Sequence, residues 1–520
     1  MQERVRTERN SIERLTFAQV TIFFKSIVRC KFPLLAFLIP FVVRFIPEIL
    51  MWPFAVGFDP LGYYVPYVLT WLKDGVNFWP FLGSAPFLYA IIMGFVSLGA
   101  PIILLLKILA PLLLGSLGIV IYFYASKTLS WPPKKSLVAV LFATLYFVAL
   151  RVSWDMLRSE LALVFLFISL VFLEKNDRPY MNGIILSIAM LSVVFAHQLV
   201  AVLLFAIILI TLVHSFIRKQ MNRFQRLLIC SIPAFVFFIT IVLADVTPLA
   251  GYPVISSFSQ DSPPINGLLG FASYPDLLVN TLSFIAFCYL PLLPLLLLGY
   301  KRFKSNLHMK IWIGLLFILI FVSLASTFFF FGVLPYRFIL LLTYPLSFIA
   351  TAAFASLKQN KYKVCAILIL ATFSVCFVML PSESQFVYYS FFPTYVPRSM
   401  LMNTVPLSDC QDTENALQWT KNTMTSNSRL LVHQVFYGWA LLSLDSGKIV
   451  PYEFNNPETV VQDLLRNGSS YQYYLIWWVN KSDWFGQPAL SSDFTQVYQS
   501  GRIAVFEYFS DSEINSELIN

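Results

Sequence analysis

Residues 101–125 read PIILLLKILAPLLLGSLGIVIYFYA, twenty-five positions with a single charge at Lys107. Water cannot solvate such a run, whereas a bilayer core about 30 Å thick accepts a helix of roughly 20 apolar residues. The stretch therefore reads as a membrane span. Working outward, apolar runs between polar breaks predict ten more, giving eleven at 32–54, 101–125, 136–152, 159–173, 180–196, 198–217, 227–245, 277–299, 311–332, 338–357 and 364–381. The composition agrees: 58% of the 520 residues are hydrophobic, 12% are charged, and the mean hydropathy is +0.72. The fold class expected is a polytopic α-helical membrane protein.

Charge distribution sets the expected sidedness. The net charge of +9 is spread over short loops, which excludes a nucleic-acid footprint. With the N-terminus inside, the inside segments hold twenty-three Lys/Arg, and the outside loops only Lys73, Arg151, Arg158 and Arg337. The basic segment 1–31 runs into the first span as an uncleaved signal anchor. Residues 84–98, SAPFLYAIIMGFVSL, are short for a crossing and read as an interfacial or re-entrant helix within a first external loop, 55–100. The six cysteines form no disulfide framework or metal-type spacing.

Past Leu380 the composition turns polar, and helical and strand-like patterns alternate. DTENALQWTKNT and PETVVQDLLRNG read as helices; RLLVHQV, YYLIWWV and RIAVFEY read as strands. The domains expected are a cytoplasmic segment 1–31, a transmembrane domain 32–381 and an external α/β domain 382–520. An odd number of spans puts the last outside, and the sequons at Asn467 and Asn480 are compatible with that side. The localisation expected is the plasma membrane, multi-pass.

Ionisable residues near a bilayer cost free energy and mark candidate sites. The outside loops collect Asp59, then Arg151, Asp155, Arg158 and Glu160, then His197 with Gln198, and finally Arg337. Asp59 precedes Pro60, which favours an extended backbone. Its carboxylate suits a general base at the interface or an N-cap for the following amphipathic helix. Arg151, Asp155 and Arg158 share one helical turn, either as a capping ion-pair cluster or as a phosphate site in which Asp155 orients the arginines or holds a divalent cation. His197 reads as structural or supporting, and Glu160 as supporting. Arg337 is an interfacial snorkel or a clamp on a lipid phosphate. Lys107, about two turns into its span, is a further phosphate candidate.

This arrangement resembles the GT-C superfamily of polyprenyl-phosphate-dependent glycosyltransferases, prokaryotic and archaeal members most of all. The likeness rests on Arg44-Phe-Ile-Pro-Glu48 leading to Gly57-Phe-Asp59-Pro-Leu-Gly-Tyr-Tyr64, on Ala85-Pro-Phe-Leu-Tyr89, and on Trp154-Asp155-Met-Leu-Arg158. Ala196-His197-Gln198, Tyr336-Arg337-Phe and the C-terminal α/β domain complete it. The resemblance implies that Asp59 deprotonates the acceptor or helps bind a metal. It also implies that Arg337, with Arg158, Arg151 and Lys107, binds the phosphate of a polyprenyl or dolichyl carrier. Asp155 is the nearest match to the metal-binding acid of oligosaccharyltransferases, so Asp59 and Asp155 would hold Mg or Mn if a divalent metal is used. The Trp-Trp-Asp-Tyr-Gly motif of those enzymes is replaced by Val432-His433-Gln434-Val435-Phe436-Tyr437-Gly438-Trp439. A monosaccharide transferase of the protein O-mannosyltransferase or lipid A aminoarabinose transferase type fits better. The function expected is inverting transfer of a sugar to a protein, glycan or lipid acceptor at the outer face. The alternatives are a secondary transporter or a non-catalytic polysaccharide-binding membrane protein.

Overall fold

The computed structural model describes residues 31–175, 179–246, 273–301, 307–325, 335–393, 395–452, 456–479 and 490–509. The basic segment 1–30 and the sequon residue Asn480 lie outside them.

Each of the eleven expected spans carries a helix, because a backbone in lipid must satisfy its own hydrogen bonds. The first is α1, Lys31–Leu50. Three short helices follow in the first loop: α2 (Val65–Asp74), α3 (Phe78–Gly83) and α4 (Phe87–Ser97). The bundle continues with α5 (Ile102–Phe123), α6 (Pro133–Leu145), α7 (Phe147–Asp155), α8 (Leu157–Glu174), α9 (Pro179–Ala196), α10 (Gln198–Ile217) and α11 (Met221–Val246). It closes with α12 (Tyr274–Tyr289), α13 (Leu293–Tyr300), α14 (Leu307–Ala325), α15 (Pro335–Leu341), α16 (Thr343–Ser356) and α17 (Asn360–Met379). Among the described residues, seven spans are long and apolar enough to cross a bilayer. The bent pair α6 and α7 would make an eighth. α4, at eleven residues, is about 16 Å long and too short to cross.

Two spans break where the sequence reads as continuous. α6 and α7 meet at 58° because Tyr146 is extended (φ −64°, ψ 138°), and its hydroxyl donates to the Cys288 carbonyl at 2.5 Å. Met156 (φ −84°, ψ 50°) then separates α7 from α8. The single turn expected to unite Arg151, Asp155 and Arg158 is therefore two helix ends. Only Arg151 and Asp155 keep the i, i+4 relation.

The C-terminal part is an α/β unit. Helices α18 (Leu407–Thr423), α19 (Gln434–Ser443) and α20 (Pro457–Arg466) accompany strands β1 (Ser428–His433), β2 (Ile449–Tyr452), β3 (Gln472–Trp478), β4 (Phe494–Ser500) and β5 (Ile503–Tyr508). The sheet order is β2-β1-β3-β5-β4, with β1 parallel to β2 and β3, and β5 antiparallel to β3 and β4. Leu430, Leu431, Ile476 and Val505 bury the sheet's interior. α18, α20, β1, β3 and β5 match the sequence pattern. α19, β2 and β4 carry no such pattern, being short or half-exposed.

This unit sits on the first loop. Gly438 of α19 approaches Leu61 so closely that a Cβ would lie 1.9 Å from the Leu61 carbonyl oxygen. The Trp439 ring packs 5.5 Å from Phe54, and Lys73 of α2 pairs with Asp445 at 2.8 Å. The exposed ion pair contributes little, about 0–1 kcal/mol; the apolar contacts hold the seat.

Candidate functional site

Asp59 stands at the start of a wide π-type turn, Pro60–Tyr64. Its backbone is helical (φ −57°, ψ −36°), not extended as Pro60 suggests, and its side chain makes no capping hydrogen bond. The preference imposed by a following proline is steric and modest, and here the turn overrides it. The N-cap role is thus ruled out, leaving the half-buried carboxyl to face the bundle. Four charged groups act on it: Asp155, Arg337, Arg151 and Arg158. They come from the ends of α7, α8 and α15.

Each of these groups has a defined seat. Arg151 and Asp155 form an ion pair on α7, both nearly fully buried, and Arg151 Nε donates to the Tyr395 carbonyl at 2.7 Å. Arg158 donates to the Ser84 carbonyl and lies 5.3 Å from the Tyr89 ring. Arg337 Nε donates to the Tyr336 hydroxyl at 3.3 Å, and Tyr336 stacks on Tyr395 at 5.1 Å. Tyr64 donates to the Asp155 carbonyl oxygen at 3.1 Å and meets Tyr89 edge-on at 5.7 Å. Arginines on aromatic faces keep their charge yet lose mobility.

The loop bearing Asp59 is braced from the segment leading to the α/β unit. Met402's carbonyl accepts from Gly57 N at 3.0 Å and from Trp154 Nε1 at 3.1 Å. Asn403 Nδ2 donates to the Ala55 carbonyl at 3.1 Å. Gly57 is obligatory here: its φ is +99°, and a Cβ would fall 1.9 Å from the Trp154 carbonyl oxygen.

His197 lies in the turn between α9 and α10, with Arg158 and Arg337 in its field. Burial, then those two cations, hold its imidazole well below the ordinary value, so it is neutral at pH 7. Its Nδ1 is buried with no hydrogen-bond partner among the described residues. Gln198 donates to the Gly83 carbonyl at 2.7 Å and ties this turn to the first loop.

The carboxyl of Asp59 is pushed up to about 7, first by burial and then by Asp155, against Arg337, Arg151 and Arg158. A carboxylate poised near neutrality can take a proton and release it again.

Two expected members stand elsewhere. Lys107 Nζ donates to the Phe54 carbonyl at 2.5 Å and pairs with Glu48 at 3.4 Å, while Arg44 pairs with Glu48 at 2.7 Å. All three are at most 3% exposed. An ammonium buried in a bilayer protein needs a counter-charge, and Glu48 supplies it at the cost of any role beside Asp59. Glu160 is fully buried, and the charged group acting on it is Arg44 rather than the Asp59 cluster. Arg44 Nε in turn donates to the Ser153 carbonyl at 3.1 Å and steadies the end of α7. Conversely, sequence reasoning missed Tyr395, Met402 and Asn403, whose contributions are a ring and backbone or amide contacts that no motif announces.

A resident divalent cation fits this donor set poorly. Among the described residues no three His, Cys, Asp or Glu side chains gather, and three guanidiniums already surround Asp59 and Asp155.

No protein-family model matches the sequence, and no curated protein matches it. Among solved structures, the chain is similar to ArnT from Cupriavidus metallidurans, whose crystal structure has undecaprenyl phosphate bound. The TM-score is 0.51 at 13% identity, covering 93% of this chain and 99% of that one. At that identity the likeness is one of fold. The chain has the fold of that protein, a polytopic helical membrane bundle with a C-terminal α/β domain.

Proposed function

We propose that this protein is an integral-membrane glycosyltransferase that moves a sugar from a polyprenyl-phosphate carrier, of the dolichyl or undecaprenyl kind, to an acceptor hydroxyl or amine, with inversion. The observation that carries the reading is the meeting of Asp59 with Arg337, Arg151, Arg158 and Asp155 at one end of the bundle. The fold shared with ArnT supports the donor class, since that protein binds undecaprenyl phosphate.

In the proposed reaction Asp59 accepts the acceptor's proton as its heteroatom attacks the anomeric carbon. The bond from that carbon to the phosphate oxygen breaks, and its electron pair leaves on the phosphate. Arg337 and Arg158 neutralise the developing charge, each already oriented by an aromatic partner and so needing little reorganisation. Arg151 holds Asp155 in place. Attack opposite the leaving group inverts the sugar carbon. The lipid tail lies between spans, the site faces the external side, and the transmembrane domain 32–381 does the chemistry while 382–520 braces the first loop.

Asp59→Asn tests this. In proteoliposomes given a labelled polyprenyl-phosphate sugar and an acceptor extract, transfer should fall about 10²–10⁴-fold with insertion unchanged. Turnover like the wild type's would remove Asp59 from the mechanism.

A further inference from the structure

The chain does not leave the bundle at the end of its last span. After α17 ends at Met379, the stretch Phe386-Val-Tyr-Tyr-Ser-Phe-Phe392 carries no charge, and its core is the short 3₁₀ helix Val387–Phe391. This turn reaches back down among the spans. Tyr389 donates its hydroxyl to the Phe373 carbonyl at 2.6 Å. Phe373 lies six residues before the end of α17, which at about 1.5 Å per residue is about 9 Å below it. Tyr388 donates to the Phe287 carbonyl at 2.5 Å and stacks on the Phe287 ring at 4.6 Å, in the middle of the span Tyr274–Tyr300. Phe147, at the bend between α6 and α7, meets both tyrosines, with ring centres 6.1 and 5.4 Å away.

Two side chains stand out of that packing. Val387 and Phe391, at the two ends of the turn, are 70% and 67% exposed, whereas Tyr389 between them is fully buried. The spans that hold the turn are bare around the same level: Val375 and Met379 of α17, and Leu290 one turn on from Phe287, are each about half exposed. The polar groups of the turn bond within the protein. Besides the two tyrosine hydroxyls, Ser390 Oγ donates to the Val387 carbonyl at 2.6 Å and Tyr389 N to the Phe386 carbonyl at 2.9 Å. Irregular backbone at membrane depth needs such closure, because lipid offers it no partner. An apolar pair about 9 Å below the end of a span also lies within the depth of about 5–10 Å at which interfacial segments rest. Hydrocarbon, continuous with that covering α12 and α17, is the medium that fits it.

We infer that the turn Val387–Phe391 is a re-entrant membrane anchor, with Val387 and Phe391 inserted among the lipid acyl chains of the leaflet on the Asp59 side. The membrane-embedded part of the chain then runs on past 381. The same segment continues to Tyr395 and Met402, whose carbonyls accept from Arg151 and Trp154, so the anchor fixes the strap that braces the candidate site. The inference does not depend on the reaction proposed there.

Photolysis of the full chain in nanodiscs of phosphatidylcholine, with a diazirine on the upper part of an acyl chain, reads the contact directly, because the carbene inserts into whatever side chain touches the lipid. Peptide mass spectrometry should find Val387 labelled as heavily as Val375, and Phe391 as heavily as Phe235 on the exposed face of α11. Hydroxyl radicals generated in the aqueous phase give the complementary readout and should modify Phe391 no more than Phe235. Phe391 oxidised by the radicals and free of carbene would place the turn in water and overturn the inference. Phe391 spared by both reagents would mean that protein covers it, which overturns the inference equally.

Discussion

Asp59 should titrate near neutrality, and its midpoint should move when its charged neighbours are changed. Burial and Asp155 raise its carboxyl from 3.8 to about 7, while Arg337, Arg151 and Arg158 hold it down. For a single group with that midpoint, the ionised fraction climbs from about one-tenth at pH 6 to about nine-tenths at pH 8. Because the reactive form is the carboxylate, transfer should be lost as pH falls through 7 and should rise about tenfold between those limits. Asp155→Asn removes a like charge and should lower the midpoint; Arg337→Gln removes a favourable one and should raise it. Infrared difference spectra of wild type minus Asp59→Asn in proteoliposomes follow the protonated carboxyl band directly, before any substrate is known. The transfer rate then serves as a second readout. A midpoint near that of an ordinary aspartate, about 4, or one indifferent to both variants, would refute the argument that these groups share one enclosed field.

Other outcomes follow from the packing. Glu48→Ala leaves Arg44 and Lys107 buried without their shared counter-charge, and should destabilise the bundle by about 3–5 kcal/mol, read as an early melting transition in detergent. A melting curve unchanged from wild type would show that these cations reach water or another anion. Gly438→Ala drives a methyl into the Leu61 carbonyl at the turn that carries Asp59, an overpacking worth about 1–3 kcal/mol. It should reduce transfer and speed tryptic cleavage at Lys73, the end of α2 that pairs with Asp445 of the seated α/β unit. Unaltered cleavage would mean that this contact does not hold the loop.

The helical bundle is legible in the residue pattern. A run such as 101–125 has one low-energy state in lipid, and its period and length are local properties. The pattern also determined most of the α/β unit, where alternating apolar runs in α18, β1, α20, β3 and β5 declare themselves over a few residues. The candidate charges too were legible, since an ionisable residue at a loop between spans is conspicuous. Which of them meet is set by long-range packing. Lys107 and Arg337 look equivalent on paper, each a lone cation near one interface. Packing buries the first against Glu48 and turns the second toward Asp59. The breaks at Tyr146, whose hydroxyl reaches the Cys288 carbonyl, and at Met156 involve neither proline nor glycine, and they place Arg151 and Arg158 on two different helices. Tyr395, Met402 and Asn403 enter through a ring, a carbonyl and an amide. Pairing between residues far apart in the chain leaves no periodic trace, because it is selected by the shape of the closed bundle and by the free-energy cost of leaving a charge alone inside it.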